Sequence, residues 1–320
     1  MSLRKDEAGG VVVAVGEILW DLLPSGPRLG GTTANFAIGC ARLGRPSALI
    51  SSLGADDWGE RARAELADRQ RDGAEILETG LIQTAVGVPT GIVDVTVRAD
   101  GQPVYRIASP AAWDRIEATA EAEAAVRGAG AVCFGTLCQR NPMSRAAIRR
   151  LVGDAGAGCL RVLDVNVRAP FFSEEVARWS MAHADLVKIS EEELEEVARA
   201  VGSTGLRGDG LGAIEACGRG LLATLPGLQV LAITMGPRGS LLLTPEDADY
   251  HPGFVIDVVD TVGAGDAFTA GLVHAWLAGG SLAQVNTIGN LCGSYVAGHR
   301  GATPVFSAEM LGRVRTALAE

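Results

Sequence analysis

Apolar and polar residues recur along this chain with two periods, and the switches between them mark out its elements. Val11–Val15 is an unbroken apolar run of strand length, whereas Thr33–Leu43 returns its apolar residues at helical spacing. Ala48–Leu53 reads as another strand, and Asp57–Gln70, charged with apolar returns, as a surface helix. Beyond residue 130 the pattern predicts strand Ala131–Phe134, helix Ser144–Val152, strand Cys159–Val165, helix Ser173–Ala182, strand Asp185–Ile189, helices Glu191–Ala200 and Gly212–Leu225, and strand Gln229–Thr234. Strands alternating with helices imply parallel pairing, right-handed crossovers and a sheet covered on both faces. Gly239–Leu243 and Ala248–Phe254 read as antiparallel additions near one edge, Val255–Val259 as a strand or extended approach, and three helical stretches close the chain.

One region breaks the alternation. Val86–Val97 and Pro103–Ile107 have period-two patterning around an Ala99-Asp100-Gly101 turn, a hairpin signal. With Ile18–Arg28 they predict a small sheet standing apart from the main layer. The expected fold class is therefore α/β, a doubly wound, mostly parallel sheet flanked by helices, with a small β-sheet appended. Its division assigns 1–16, 30–85 and 109–320 to the core, and 17–29 and 86–108 to the small sheet. Tandem repeats are absent, and Gly202–Gly212 is a glycine-rich structural loop.

At 320 residues, 48% hydrophobic, the chain can bury the core of one large domain plus an appendage. A net charge of −10 argues against nucleic acid or an anionic membrane as partner. It does not exclude an anionic nucleotide, which a few oriented N–H groups can hold locally. The apolar runs are too short to span a bilayer, and Met1–Gly10 is charged and lacks a secretory apolar region. Six cysteines without CxxC or metal-like spacing fit the reduced, buried thiols of a cytoplasmic protein. The four histidines form no ligand cluster and no Ser-His-Asp order emerges.

The chemistry concentrates at Asp260-Thr261-Val262-Gly263-Ala264-Gly265-Asp266. The apolar residues that follow, Phe268, Leu272, Ala275 and Trp276, have helical spacing, so the glycines fall at a helix start. Free N–H groups and the positive end of the helix dipole attract anions there, and glycines let a ligand approach the backbone. A carboxylate at Asp266 would repel phosphate unless it takes a proton from an attacking hydroxyl; capping of the helix is the plainer account.

Asp-Thr-x-Gly-Ala-Gly-Asp resembles the C-terminal signature of the ribokinase-like (PfkB) carbohydrate kinases, and Leu29-Gly30-Gly31-Thr32-Thr33-Ala34-Asn35-Phe36-Ala37 resembles their N-terminal one. The pair lies in the expected order, more than 200 residues apart. The resemblance implies an ATP-dependent sugar kinase of ribokinase-like fold, with Asp266 as base and the N–H groups of Gly263, Ala264 and Gly265 as an anion hole. It implies Asp21, Gly31 and Asn35 on the sugar, and Ser190, Thr234, Gly236, Gly239 and Asn290 along ATP. Glu193 would organise Mg2+ through water, and Asp260, the Val262 carbonyl and Gly301 would hold a monovalent cation such as K+. The small sheet becomes a lid over the sugar and a homodimer contact.

Each site also has a plainer account. Asp21 precedes Pro24-Ser25-Gly26-Pro27 and could stabilise a turn, and Gly30-Gly31 could be a turn before a helix. Ser190 and Glu193 fit a capping box, Thr234–Ser240 a hairpin turn, and Asn290 a polar helix position. Asp164-Val165-Asn166-Val167-Arg168 resembles a motif of bacterial fructokinases and 2-keto-3-deoxygluconate kinases, in which Arg168 would reach substrate or phosphate groups; a solvent-facing arginine or a structural ion pair is the alternative. Gly16-Glu17-Ile18-Leu19-Trp20-Asp21, Gly135–Arg140 and Lys188-Ile189-Ser190 look like bacterial fructokinases, which makes fructose the expected sugar. A 2-keto-3-deoxygluconate kinase, a ribokinase-like kinase and a non-catalytic sugar- or nucleotide-binding regulator are the alternatives.

Overall fold

The computed structural model describes residues 10–23, 25–71, 76–97 and 103–320. The chain enters as strand β1 (Val11–Val15), buried throughout. Val11, Val13 and Val15 pack into the core on one face of the sheet, and Val12 and Ala14 into the core on the other. A strand covered on both faces has no reason to alternate polar residues, which is why β1 reads as a continuous run. Next come β2 (Leu19–Leu23), β3 (Gly26–Gly30), helix α1 (Thr32–Arg42), β4 (Ser47–Gly54), α2 (Asp57–Arg71), β5 (Leu77–Glu78), β6 (Ile82–Ala85), β7 (Gly91–Val97) and β8 (Pro103–Ile107). The middle of the chain holds α3 (Ala120–Arg127), β9 (Ala129–Gly135), α4 (Pro142–Gly153), β10 (Leu160–Asp164), α5 (Glu174–Ala182), β11 (Leu186–Ser190), α6 (Glu191–Val201) and α7 (Leu211–Thr224). It ends with β12 (Val230–Thr234), β13 (Ser240–Leu243), β14 (Ala248–His251), α8 (Ala264–Leu277), α9 (Leu282–Ala297) and α10 (Ala308–Ala319). Side-chain caps begin several helices: Asn141 accepts the Met143 N–H at 3.0 Å ahead of α4, and Ser307 accepts the Met310 N–H at 3.1 Å ahead of α10.

The main sheet has ten strands in the order β14-β13-β12-β11-β10-β9-β1-β4-β5, with β6 on the flank of β4. Pairing is parallel from β12 to β5 and antiparallel for β13 and β14. From β1 the chain builds outward on one side through β4, then crosses to the other side at β9. That change of direction opens a crevice at the carboxyl ends of the central strands. Helices α3 to α7 contribute to the core on one face, and α1, α2, α8, α9 and α10 to the core on the other. Two glycines let the helices nearest the crevice approach closely. A Cβ at Gly39 of α1 would come 2.9 Å from Ala270 of α8, and one at Gly271 of α8 would meet the Ile288 carbonyl and Cys292 sulfur of α9 at 2.8 and 2.9 Å.

The second sheet has the order β3-β2-β7-β8. It is fastened to the core through Trp20 of β2, fully buried against Trp58 of α2 with ring centroids 5.4 Å apart. The Trp20 indole donates to the Trp58 carbonyl at 3.0 Å, and the Arg61 guanidinium lies 4.6 Å above its ring.

The strand expected over Val86–Val97 is interrupted. Gly87 takes a left-handed φ of 75° and Pro89 follows, so β6 ends on the main sheet and β7 starts anew in the small one. Asp56 secures the junction, accepting the Thr90 N–H at 2.8 Å and the Thr90 hydroxyl at 2.6 Å. The expected hairpin turn Ala99–Gly101 lies outside the described residues. Val255–Val259 forms no strand and is the extended approach; Val255 and Val258 are exposed, while the Val259 N–H donates to the Ala297 carbonyl at 2.9 Å. The last antiparallel strand stops at His251, because Pro252 has no N–H to donate. All six cysteines are buried free thiols. No helix among the described residues is long and apolar enough to cross a membrane.

The close crossing of α8 and α9 makes a stability prediction. Gly271→Ala must push the Ile288 carbonyl and Cys292 aside, and overpacking of this kind costs about 1–3 kcal/mol. Urea unfolding should show a lower midpoint, and an unchanged midpoint would mean that the two helices separate without strain.

Candidate active site

Helix α8 begins at Gly263, whose φ of 79° only glycine adopts without strain, and whose α-carbon faces the backbone of Ala302 with no room for a side chain. The Ala264 N–H folds back onto the Thr261 carbonyl at 3.2 Å. Of the expected anion-hole donors, Ala264 is therefore engaged within the turn. Gly263 and Gly265 line the crevice, and their N–H groups, like that of Asp266, have no acceptor among the described residues. Free donors at the positive end of a 14-residue helix make an anion-binding cradle.

Asp260, two residues ahead of Val262, shapes this turn. Its Oδ1 accepts the Val262 N–H at 3.1 Å, and its Oδ2 accepts the Gly301 N–H at 3.1 Å. Arg28 from β3 completes the set, with Nη1 2.9 Å from Oδ2.

A cavity of 480 Å³ opens over the turn, bounded by the small sheet on one side and the strand ends on the other. Asp266 faces it, with Oδ2 accepting from the Asn35 side-chain amide at 2.8 Å. Behind it stands a second buried carboxylate, Asp164 at the end of β10, which accepts from the Lys188 ammonium at 3.2 Å and the Thr269 hydroxyl at 3.1 Å. Burial, reinforced by the charges of Asp164 and Glu17 and opposed by Asn35 and Lys188, pushes the Asp266 carboxyl up to about 7. Burial also works against the Lys188 ammonium, but Asp164, Glu193 and Asp266 outweigh it and hold its pKa above the usual lysine value.

The other walls carry Glu17, Asp21, Gly31, Thr32, Asn166 and Arg168. Glu17, almost fully buried, accepts the Thr32 N–H and the Cys138 thiol, each at 3.1 Å. Gly31 initiates α1 with φ 113° and packs against the Glu17 backbone, leaving no space for a Cβ. Burial pushes the Asp21 carboxyl up to about 6, with the nearby Arg168 guanidinium pulling the other way. Asn166 is held at a left-handed φ of 43° and donates to the Thr32 hydroxyl. Leu19, Leu23, Val93 and Ile107 of the small sheet supply an apolar roof.

The sequence-predicted residues thus separate into three groups, one of which, Ala264, Asp260 and Gly301, is the turn just described. Asp21, Gly31, Asn35, Arg168, Gly263, Gly265 and Asp266 line one cavity, with Val262 at its rim. The others form a row along the carboxyl edge of the sheet: Ser190 pairs with Thr234 across β11 and β12, and Thr234 pairs with Ser240 across β12 and β13. Ser240 Oγ accepts the Asn290 amide at 2.7 Å, so that amide is engaged inside the fold. Gly236 and Gly239 take positive φ values of 56° and 79° in the turn after β12. Glu193 binds the Val167 N–H at 2.6 Å and the Ser190 N–H at 2.8 Å, bridging two strand ends. It does not line the cavity.

Sequence reasoning gave no role to Glu17, Arg28, Asp164 or Lys188. A charged residue inside or just after an apolar strand was the available signal for Glu17, Asp164 and Lys188. Arg28 carries none, since its partner lies 232 residues away.

The pfkB family carbohydrate kinase model matches residues 27–308. The chain is similar to Fructokinase-1 of Oryza sativa subsp. japonica, 29% identical across 94% of this chain and 95% of the relative. It is also similar to the ATP-dependent ribose-1-phosphate kinase of Halopiger xanaduensis, 28% identical across 93% and 95%. Among solved structures it is similar to an uncharacterized sugar kinase from Pyrococcus horikoshii in complex with ATP, 27% identical, with a TM-score of 0.75 across 91% of this chain and 94% of that one.

The raised pKa of Asp266 carries a stability consequence of definite sign. An acid harder to ionise folded than unfolded imposes no penalty below its unfolded pKa, an increasing one as pH rises, and the full one above its folded value near 7. Asp266→Asn, which keeps the acceptor for Asn35, should melt several degrees higher than wild type at pH 8, with the gap shrinking towards zero at pH 4. Equal melting temperatures at both pH values would mean that the carboxylate is not desolvated.

Proposed function

The chain belongs to the pfkB family of carbohydrate kinases, and on that footing we propose that it transfers the γ-phosphate of ATP to a primary hydroxyl of a monosaccharide, with fructose the preferred acceptor. The observation that carries this reading is the placement of Asp266: a part-buried carboxylate beside free backbone donors, facing the same cavity as Asp21. The sugar lies under the small sheet, its hydroxyls held by Asp21, the Gly31 backbone and Asn35. Asp266 accepts the proton of the hydroxyl as that oxygen attacks the γ-phosphorus. N–H groups of Gly263 and Gly265 receive charge gathering on the phosphoryl oxygens, a term that works best from preorganised donors away from water. Lys188, whose Nζ lies 3.0 Å from where a Cβ on Gly265 would stand, adds a positive charge anchored by Asp164.

The rest of the nucleotide runs along the row Ser190, Thr234, Gly236, Gly239 towards Asn290, where the glycine backbone leaves room for it. Among the described residues no group of three or more histidine, cysteine or acidic side chains is set to hold a metal ion. A divalent ion such as Mg2+ fits this site as a metal carried on the nucleotide phosphates and water, with Glu193 beyond them. When bound it neutralises phosphate charge. The small sheet excludes water that would compete as acceptor.

Fructose is favoured by the likeness to a fructokinase along almost the whole chain, and by the carboxylates Glu17, Asp21 and Asp266, which disfavour an anionic acceptor. Arg168 supports a second reading, a sugar acid such as 2-keto-3-deoxygluconate, because a guanidinium on the cavity wall suits a carboxylate. Arg106, on the small sheet's β8, is exposed and is not among the lining residues.

Three measurements test these statements. Asp266→Asn should lower kcat by about 10²–10⁴ with KM values little changed; near-wild-type turnover rejects the assignment. In wild type, kcat/KM should fall as pH drops through about 7, where Asp266 takes up its proton, and a profile flat from pH 5 to 9 sinks the base. An ATP-consumption assay across fructose, ribose, 2-keto-3-deoxygluconate and nucleosides should give the highest kcat/KM with fructose. Preference for the keto acid, abolished in Arg168→Ala, would establish the second reading, and no turnover on any of them would point to a binding protein.

A further inference from the structure

We infer that Arg28 is a built-in counter-ion for Asp260, occupying the place where a monovalent cation would otherwise be held, and that through Asp260 it couples docking of the small sheet to the shape of the anion-binding turn. The activity arm of this inference rests on the phosphotransfer reading; the binding arm does not.

Three donors converge on the Asp260 carboxylate. Two are the backbone N–H groups of Val262 and Gly301, each at 3.1 Å, and the third is the Arg28 guanidinium at 2.9 Å. Val262 leads directly into Gly263, the first residue of the cradle. Gly301 adjoins Ala302, whose backbone lies against Gly263. Asp260 therefore determines how the loop before α8 and the loop after α9 meet beneath the cradle, and its own position depends on what balances its charge.

An alkali cation at that carboxylate would need several oxygen ligands. Here both carboxylate oxygens already face N–H donors, and a second cation beside the guanidinium would meet a like charge at close range. The monovalent-cation role expected of Asp260, Val262 and Gly301 does not fit this arrangement. The balancing charge is covalently part of the chain instead.

Its origin matters as much as its sign. Arg28 belongs to β3 and pairs in register with Asp21 of β2, so the two lie opposite each other on one face of the small sheet and both line the cavity. The strand pair that presents a carboxylate to the acceptor thus also reaches across to grip the cradle. When β2 and β3 sit on the core, the cradle is braced; when they lift, Asp260 loses its partner. Arg28 is in this sense a positioning residue that acts on the donors through Asp260.

The test compares wild type, Arg28→Ala and Arg28→Lys in choline, sodium and potassium chloride at equal ionic strength, by phosphotransfer kinetics and by thermal melting without substrates. Wild type should turn over alike in all three salts, and potassium should not raise its melting temperature above that in choline. Arg28→Ala in choline should lose about 10–100-fold in kcat with smaller changes in KM, the scale of a misplaced donor set. It should recover on adding potassium or guanidinium chloride, and potassium should raise its melting temperature. Arg28→Lys, which keeps a cation, should retain most activity without added potassium.

Strong potassium activation of wild type overturns the inference, and that arm needs no variant to fold. So does an Arg28→Ala protein that is fully active in choline, or one whose deficit neither ion relieves. If no acceptor is phosphorylated by any of the three proteins, the kinase reading fails, while potassium stabilisation confined to Arg28→Ala still supports the counter-ion.

Discussion

Setting Asp266 part-buried among other charges is the constraint around which the crevice is arranged. A lone carboxylate in that position would simply stay protonated, because burial disfavours its charged form and Asp164 and Glu17 repel it. The fold does not remove this opposition; it offsets part of it. Lys188 stands between the two aspartates electrostatically, and the Asn35 amide and the start of α8 contribute dipoles rather than whole charges. The result is a carboxyl poised near neutrality instead of one locked in either state. The same side chains that make the site costly to fold hold its carboxyl near the pH at which a proton can come and go.

Two kinds of wall meet at the cavity. The floor is backbone: the turn Thr261–Gly265 and the start of α1, both held by glycines that pack against other main-chain atoms. The roof and sides are side chains from the small sheet and from the loops after β1 and β10. Trp20 and Arg28 attach the roof at separate places, one by apolar and cation–π packing on α2 and the other by charge. Apolar packing is not screened by salt and is strengthened by salts such as sulfate, whereas a partly exposed ion pair is screened, so the two attachments respond to different conditions.

Features that depend on local period or on contiguous residues could be read from the chain. The double burial of β1, the alternation from β9 to β12 and the helix start at Gly263 all belong to this class. Features that depend on where distant segments come to rest could not. Asp260 and Arg28 give no sign of each other in the sequence, and whether Arg168 faces solvent or the cavity is decided by the turn at Asn166. The Ala264 N–H looked as free as its neighbours until the fold turned it onto Thr261. The interruption at Gly87 and Pro89 was visible as residue types, but the apolar alternation around it masked the break. Glu193 illustrates an ambiguity of chemistry rather than position, since a carboxylate that joins two strand ends has the same residue type and spacing as one that would serve a metal ion.

The contrast between floor and roof says where new specificity could be built. Gly31 and Gly263 accept no side chain, so mutagenesis libraries aimed at the cradle would yield mostly unfolded or inactive clones. Leu19, Leu23, Val93 and Ile107 line the cavity and carry apolar side chains. Exchanging them for smaller, larger or polar residues would reshape the roof of the cavity while leaving Asp266 and its partners in place. A protein engineer would retarget this scaffold from its ceiling downward.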